Sequence, residues 1–137
     1  MKLELVGYRV NKCNYENNIG PNMKVNLPIT TNSQIKVPKE FKKGSIGTVL
    51  TKFMVGNPMH PLYLYLEVVT SYADVEATEE TCESAETMMS LFKTICVPLA
   101  NEQIEKILKE VCHIYNIPEI KLQKNSSQNT GNMNLRS

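Results

Sequence analysis

The sequence predicts an α+β fold, in which a four-stranded antiparallel sheet is followed by two helices packed on one of its faces. Two patterns support this prediction. Apolar and polar residues alternate over much of residues 3–75, as in half-buried strands, and apolar residues recur at helical spacing over residues 82–115. Because the strands precede the helices instead of alternating with them, a parallel nucleotide-binding sheet is disfavoured.

The first two strands have the weaker patterns. Residues 6–10 alternate between apolar and polar side chains, whereas Leu3 and Leu5 lie in the opposite frame, which predicts a bulge near Gly7. A second strand is predicted over residues 23–29, where a proline is typical of a sheet edge.

A β-hairpin has the clearest pattern in the first two-thirds of the chain. Residues 48–55 alternate, Gly56-Asn57-Pro58 predicts a turn, and residues 62–75 form the return strand. Much of this return strand is apolar on both faces, which is typical of a central strand covered twice. The helices would supply one cover, and a partner molecule the other. The basic run 36–44, ahead of the hairpin, is predicted to be a solvated loop, with weak binding of RNA or of an acidic partner as the alternative.

Two helices are predicted after the hairpin. The first has an apolar stripe from residue 82 to 95 and acids crowded in its amino-terminal turns, at residues 79, 80, 83 and 86, and it should end before Pro98. The second is predicted over residues 100–115. Residues 123–137 are polar and nearly free of apolar side chains, which predicts a disordered tail after a single domain of residues 1–122.

The composition offers little for catalysis. The 137 residues include 15 basic and 14 acidic side chains, a net charge of +1 that argues against a nucleic-acid binder. His60 and His113 lack a nearby acid and nucleophile at recognisable spacing, and neither a metal-ligand pair nor a phosphate loop is present, so no catalytic residue, metal or cofactor is predicted.

The sequence also predicts a cytoplasmic protein without membrane insertion, because it contains neither a signal-peptide pattern nor an apolar membrane span. The four dispersed cysteines are expected to be free and mostly buried thiols. The charge is strongly segregated. Residues 1–60 contain nine basic and three acidic side chains, whereas residues 61–122 contain four basic and eleven acidic ones.

Several short stretches resemble the SecB family of chaperones. The strongest is LFKTICVPLANEQI at residues 91–104, similar to the connection between the two helices of that family. NIPEIKL at residues 116–122 is similar to the family's ending after its second helix. LYLEV at residues 64–68 resembles its glutamate-bearing fourth strand, and Tyr15-Glu16 the end of its first.

This resemblance implies a homo-oligomer, a dimer or a dimer-of-dimers tetramer, whose apolar grooves hold unfolded polypeptide clients without ATP. Glu16 and Glu67 match two acids that dock the translocase motor protein in export members of the family. Lys12 reverses the charge of a third such position, and Asn101 replaces a usual arginine. The matching positions that would line the client groove are Phe53, Leu64, Phe92, Ile95, Val97, Leu99, Ile104 and Leu108.

The expected function is therefore that of an ATP-independent holdase acting on non-native polypeptides, with protein export as one setting. The alternative is a SecB-like module that binds a single partner, as a toxin–antitoxin chaperone or a phage protein. A small enzyme such as a hot-dog thioesterase is disfavoured, because that fold wraps its sheet around a long central helix placed early in the chain.

Overall fold

The computed structural model describes residues 1–19, 24–116 and 130–136, with side chains described for residues 1–19 and 27–116. Its main sheet is antiparallel in the order β1-β5-β4-β2, and β7 pairs with the outer edge of β2. A separate two-stranded sheet consists of β3 and β6. The strands are β1 Leu3–Asn17, β2 Lys24–Lys36, β3 Glu40–Lys42, β4 Gly47–Val55, β5 Leu62–Asp74, β6 Cys82–Ser84 and β7 Thr130–Arg136.

The α+β class, the four antiparallel strands and the hairpin are confirmed. In β4 and β5 every second side chain is buried, and the register pairs Val55 with Leu64 and Gly47 with Tyr72. The turn depends on Gly56, whose φ of +67° favours glycine and whose added Cβ would collide with the carbonyl oxygen of Leu62. The β1 bulge near Gly7 is confirmed as well.

The prediction of two helices is wrong, because one helix of 30 residues follows the sheet. It consists of α1 Ala85–Leu91, a π-helical segment Phe92–Cys96 and α2 Val97–Ile114. In the π segment the Val97 amide donates to the Phe92 carbonyl, five residues back. This wider turn directly precedes Pro98, whose ring would clash with a carbonyl in a regular α-helix, so the helix can continue through the proline.

The helix also begins later than predicted, at Ala85. Ser84 caps it, since its Oγ accepts a hydrogen bond from the Thr87 amide at 3.3 Å. Strand β6 precedes the helix directly: it consists of Cys82–Ser84, which includes the capping serine, and pairs with β3. Most of the acidic cluster therefore lies in the turns and the short strand that precede the helix.

The basic run 36–44 is not simply a solvated loop, because Glu40–Lys42 forms β3 and pairs with β6. Phe41 within it is fully buried, and its ring meets that of Phe92 edge to face, with centroids 6.1 Å apart. The flanking lysines stay at the surface, where Lys43 Nζ lies 3.4 Å from Glu79 Oε1. The predicted loop is thus anchored to the core by one aromatic side chain.

The helix packs on one face of the sheet over two apolar clusters. One lies under the amino-terminal part of the helix around Phe92, and the other under α2 around Ile104. Hydroxyl-bearing residues occupy the sheet between them. Thr51 is fully buried opposite Ser33, and Thr70 Oγ1 donates to the Val49 carbonyl at 3.3 Å.

Tyr72 connects this polar row to the helix. Its hydroxyl lies 2.9 Å from Thr70 Oγ1 and 3.2 Å from the carbonyl of Cys96 in the π segment, and it can donate to either. Burial raises the pKa of Tyr72 to about 12, so the hydroxyl stays protonated at neutral pH.

Replacing Tyr72 by phenylalanine should lower the free energy of unfolding by about 1–2 kcal/mol, because buried acceptors lose a donor. Urea denaturation followed by circular dichroism measures this change. Tyr8→Phe is the matched control, since the Tyr8 side chain is exposed. Equal stability of the two variants would contradict the proposed role of the Tyr72 hydroxyl.

The predicted disordered tail, residues 123–137, falls mostly outside the described residues; its segment Thr130–Arg136 forms β7. Within the described residues Cys13, Cys82 and Cys96 are free thiols, as expected. The expectation of mostly buried thiols holds for Cys96 and Cys112 but not for Cys13 and Cys82, which are exposed.

Candidate functional site

Among the main-sheet strands whose side chains are described, β1 is the least covered. Of its 15 residues only Leu3 is buried, at one end, and Tyr15 is partly buried near the other. The Tyr15 ring stacks on Tyr115 at the end of the helix, with centroids 4.0 Å apart. Between these two anchors both faces of β1 are open to solvent.

The face of β1 that shares the helix side of the sheet is apolar. Its residues pair with buried β5 positions: Leu5 with Tyr72, Tyr8 with Thr70, and Val10 with Val68. Unlike those partners, the three side chains are 37%, 52% and 42% exposed. We call this row the β1 strip; its members are Leu5, Tyr8, Val10 and Cys13.

The outer edge of β1 lies beside the strip. Within the part of the chain that the structure describes, β1 pairs only with β5, so its outward amide and carbonyl groups have no strand partner. Bulges after Leu5 and Val10 interrupt this edge and limit indiscriminate edge-to-edge pairing. The remaining free backbone can accept an added strand whose apolar side chains would contact the strip.

The opposite face of the sheet has no helix on it in the described structure, and its central side chains are half-buried. Its middle row runs Lys12, Glu67, Lys52 across β1, β5 and β4. Tyr65 donates to Glu67 Oε2 at 2.8 Å. Burial and this hydrogen bond raise the pKa of Tyr65 to about 12, so the phenol remains a donor at neutral pH.

Both predicted docking acids lie on this open face. Glu16 is exposed and pairs in register with Tyr63, four residues from Glu67 along β5. They are therefore about 14 Å apart along the strand. Because Lys12 and Lys52 flank Glu67, the two glutamates do not form a continuous acidic patch.

The eight predicted groove residues divide into two groups. Ile95 is 40% exposed, while Val97 and Leu99 are partly buried at the rim of the helix. The other five have no accessible surface and belong to the core between helix and sheet; they are Phe53, Leu64, Phe92, Ile104 and Leu108. The structure therefore does not bring the eight together as one open groove.

The alternation of residues 6–10 predicts a half-buried strand, but it does not predict that the apolar side chains of this strand stay exposed. Tyr8 and Val10 are recognised as part of a surface only from their exposure in the folded chain.

The described residues contain no cluster of three or more histidine, cysteine, aspartate or glutamate side chains suited to a metal. Cys112 is buried and its neighbour His113 is exposed on the helix, so the two point in different directions. Burial raises the pKa of Cys96 to about 12, which disfavours a reactive thiolate there. No described helix has the length and apolar character needed to cross a membrane.

Together these features define an α+β protein with an uncovered apolar edge and an open sheet face. No protein-family model, curated protein or solved structure matches the chain.

Proposed function

We propose that this protein binds non-native polypeptides without ATP, as a holdase of SecB-like type. The observation that carries the proposal is the β1 strip, which places exposed apolar side chains beside an unpaired strand edge. An extended polypeptide can bury apolar side chains on such a strip while its backbone pairs with the edge. These contacts require little sequence specificity.

The sheet followed by a helical segment with a proline is compatible with a divergent SecB-like fold. The continuous helix departs from the two helices that the resemblance implies, so the support comes from the surface and not from the helical layout. We do not propose that Glu16 and Glu67 dock a translocase motor, because Lys12 and Lys52 offset the charge of Glu67.

A second copy of the chain is the competing occupant of the β1 strip. Two β1 strands could pair antiparallel about a two-fold axis, which would cover both strips and give a dimer. A single dedicated partner, such as an antitoxin or a phage protein, is the alternative within polypeptide binding. An unfolded client, a second copy of the chain and a dedicated partner would each protect the strip from chemical modification under different conditions.

The first test is suppression of aggregation. Chemically unfolded client protein, diluted into buffer without nucleotide, should scatter less light when this protein is present at a stoichiometric amount. Light scattering also measures the native mass of the protein, both alone and with client. No suppression at several-fold excess would overturn the holdase proposal.

Cysteine alkylation locates the contact. Cys13 belongs to the β1 strip, whereas Cys82 is exposed elsewhere and serves as the internal control. Protection of Cys13 only after client is added supports client binding at the strip. Protection without client, together with a dimer mass, assigns the strip to a second copy. Capture of one stoichiometric protein from cells, without suppression of aggregation, would favour the dedicated partner.

A further inference from the structure

A groove crosses one end of the open sheet face, on the opposite side of the sheet from the β1 strip. Its volume is about 770 Å³. Leu50 and Val69 form an apolar floor, and Val37, Pro38 and Ile46 add apolar walls. The lining is completed by Ile35 and by the polar side chains of Arg9, Gln34, Lys36 and Thr48.

The cations of this groove have no carboxylate partner among the described residues. Arg9 Nε donates to Asn11 Oδ1 at 2.7 Å, an amide that leaves the guanidinium charge in place. Lys36 makes no ion pair with any described residue, in contrast to Lys42 and Lys43, which lie 2.9 Å and 3.4 Å from Glu40 and Glu79. Within the described part of the chain, the groove therefore combines an apolar floor with two positive charges that no carboxylate neutralises.

We infer that the groove binds acidic segments of client polypeptides, in which aspartate or glutamate side chains flank apolar ones. This inference rests on the proposed function and adds to it a preference for one class of client. The argument is charge complementarity: carboxylates would pair with Arg9 and Lys36, while apolar side chains between them would cover Leu50 and Val69.

The geometry also sets a spacing for the acids. Arg9 lies level with Gln34, three strand spacings or about 14 Å across the sheet, and Lys36 lies two residues, about 7 Å, further along β2. The two positions are therefore about 16 Å apart. Acids four residues apart on one face of an extended chain span about 13 Å, and the long side chains of Arg9 and Lys36 can cover the difference. The groove is open along the sheet face, which suits an extended chain with exposed backbone better than an acyl tail that must be enclosed. Gln34 and Thr48 can hydrogen-bond to that backbone.

The test measures fluorescence anisotropy with two labelled peptides of the same apolar sequence. One has two glutamates about four residues apart, and the other has lysines at those positions. We expect the glutamate peptide to bind more tightly, and R9Q/K36Q to weaken its binding about tenfold at low salt. K42Q/K43Q is the matched control, because it removes the same charge from lysines outside the groove and should change little.

The outcomes separate this inference from the proposed function. If unfolded client is held but both peptides bind equally, or if the two double variants weaken binding equally, the acidic preference is wrong and the holdase stands. If neither unfolded client nor peptide is bound, the proposed function itself is wrong. Binding of oleate in the absence of any peptide binding would assign the groove to a lipid anion and also overturn the inference.

Discussion

Replacing Phe92 by alanine should lower the free energy of unfolding by about 3–5 kcal/mol. The Phe92 ring is fully buried, and the rings of Phe41 and Tyr72 meet it edge to face. Gly47 leaves room for it, since an added Cβ there would collide with Cζ of the ring. The truncation would leave a cavity where the π segment, the main sheet and β3 meet.

Such a loss is a large part of the about 5–15 kcal/mol that stabilises an ordinary domain. Urea denaturation followed by far-ultraviolet circular dichroism measures it. Ile95→Ala is the matched control, because Ile95 lies in the same π segment but is 40% exposed, and it should cost less than about 1 kcal/mol. Similar losses in the two variants would mean that Phe92 is not the core residue that the structure shows.

This pair also separates core from surface among the residues that the SecB resemblance marks as groove-lining. Phe92 and Ile95 were both predicted to line the groove, because a pattern of apolar residues does not distinguish a core position from a client-binding one. Burial in the folded chain makes that distinction. It leaves Ile95, Val97 and Leu99 as the predicted positions that reach the surface.

The hairpin was predictable from sequence because residues 48–55 alternate, residues 62–75 form a largely apolar return strand, and a Gly-Asn-Pro turn joins them. The continuous helix was not. Pro98 is normally a reliable end signal, and the π segment that accommodates it has no distinctive sequence pattern. The two short strands β3 and β6 were missed because each is only three residues long, too short for an alternating pattern to be recognised. Phe41 within the lysine run was their one sequence signal.

Both candidate binding surfaces depend on how the strands are arranged. The groove on the open face is built from residues of β1, β2, β4 and β5. Its two cations lie far apart in sequence, and only the strand order places them in one groove. Charge segregation along the chain indicated an excess of basic residues in the first half. It did not indicate that Arg9 and Lys36 would share a groove while Lys42 and Lys43 find acidic partners.

The double variant Tyr8→Lys/Val10→Lys should remove client binding while leaving the fold intact. Both side chains are largely exposed on an edge strand, where lysine is well tolerated, so the circular dichroism spectrum and the urea midpoint should change little. Binding of an unfolded client should weaken at least about 100-fold, because two apolar contacts are lost and two charges would have to be desolvated.

Light scattering during client aggregation and alkylation of Cys13 provide the two readouts. In the variant, suppression of aggregation should disappear, and added client should no longer protect Cys13. The control Met59→Lys/Ile114→Lys removes apolar side chains that are 92% and 73% exposed but lie outside the β1 strip, and it should behave as the unchanged protein. If both variants hold clients equally well, general surface hydrophobicity and not the β1 strip is the binding determinant. If Tyr8→Lys/Val10→Lys still holds clients but no longer forms a dimer that the unchanged protein forms, β1 joins two copies of the chain. The strip would then be needed for self-association alone.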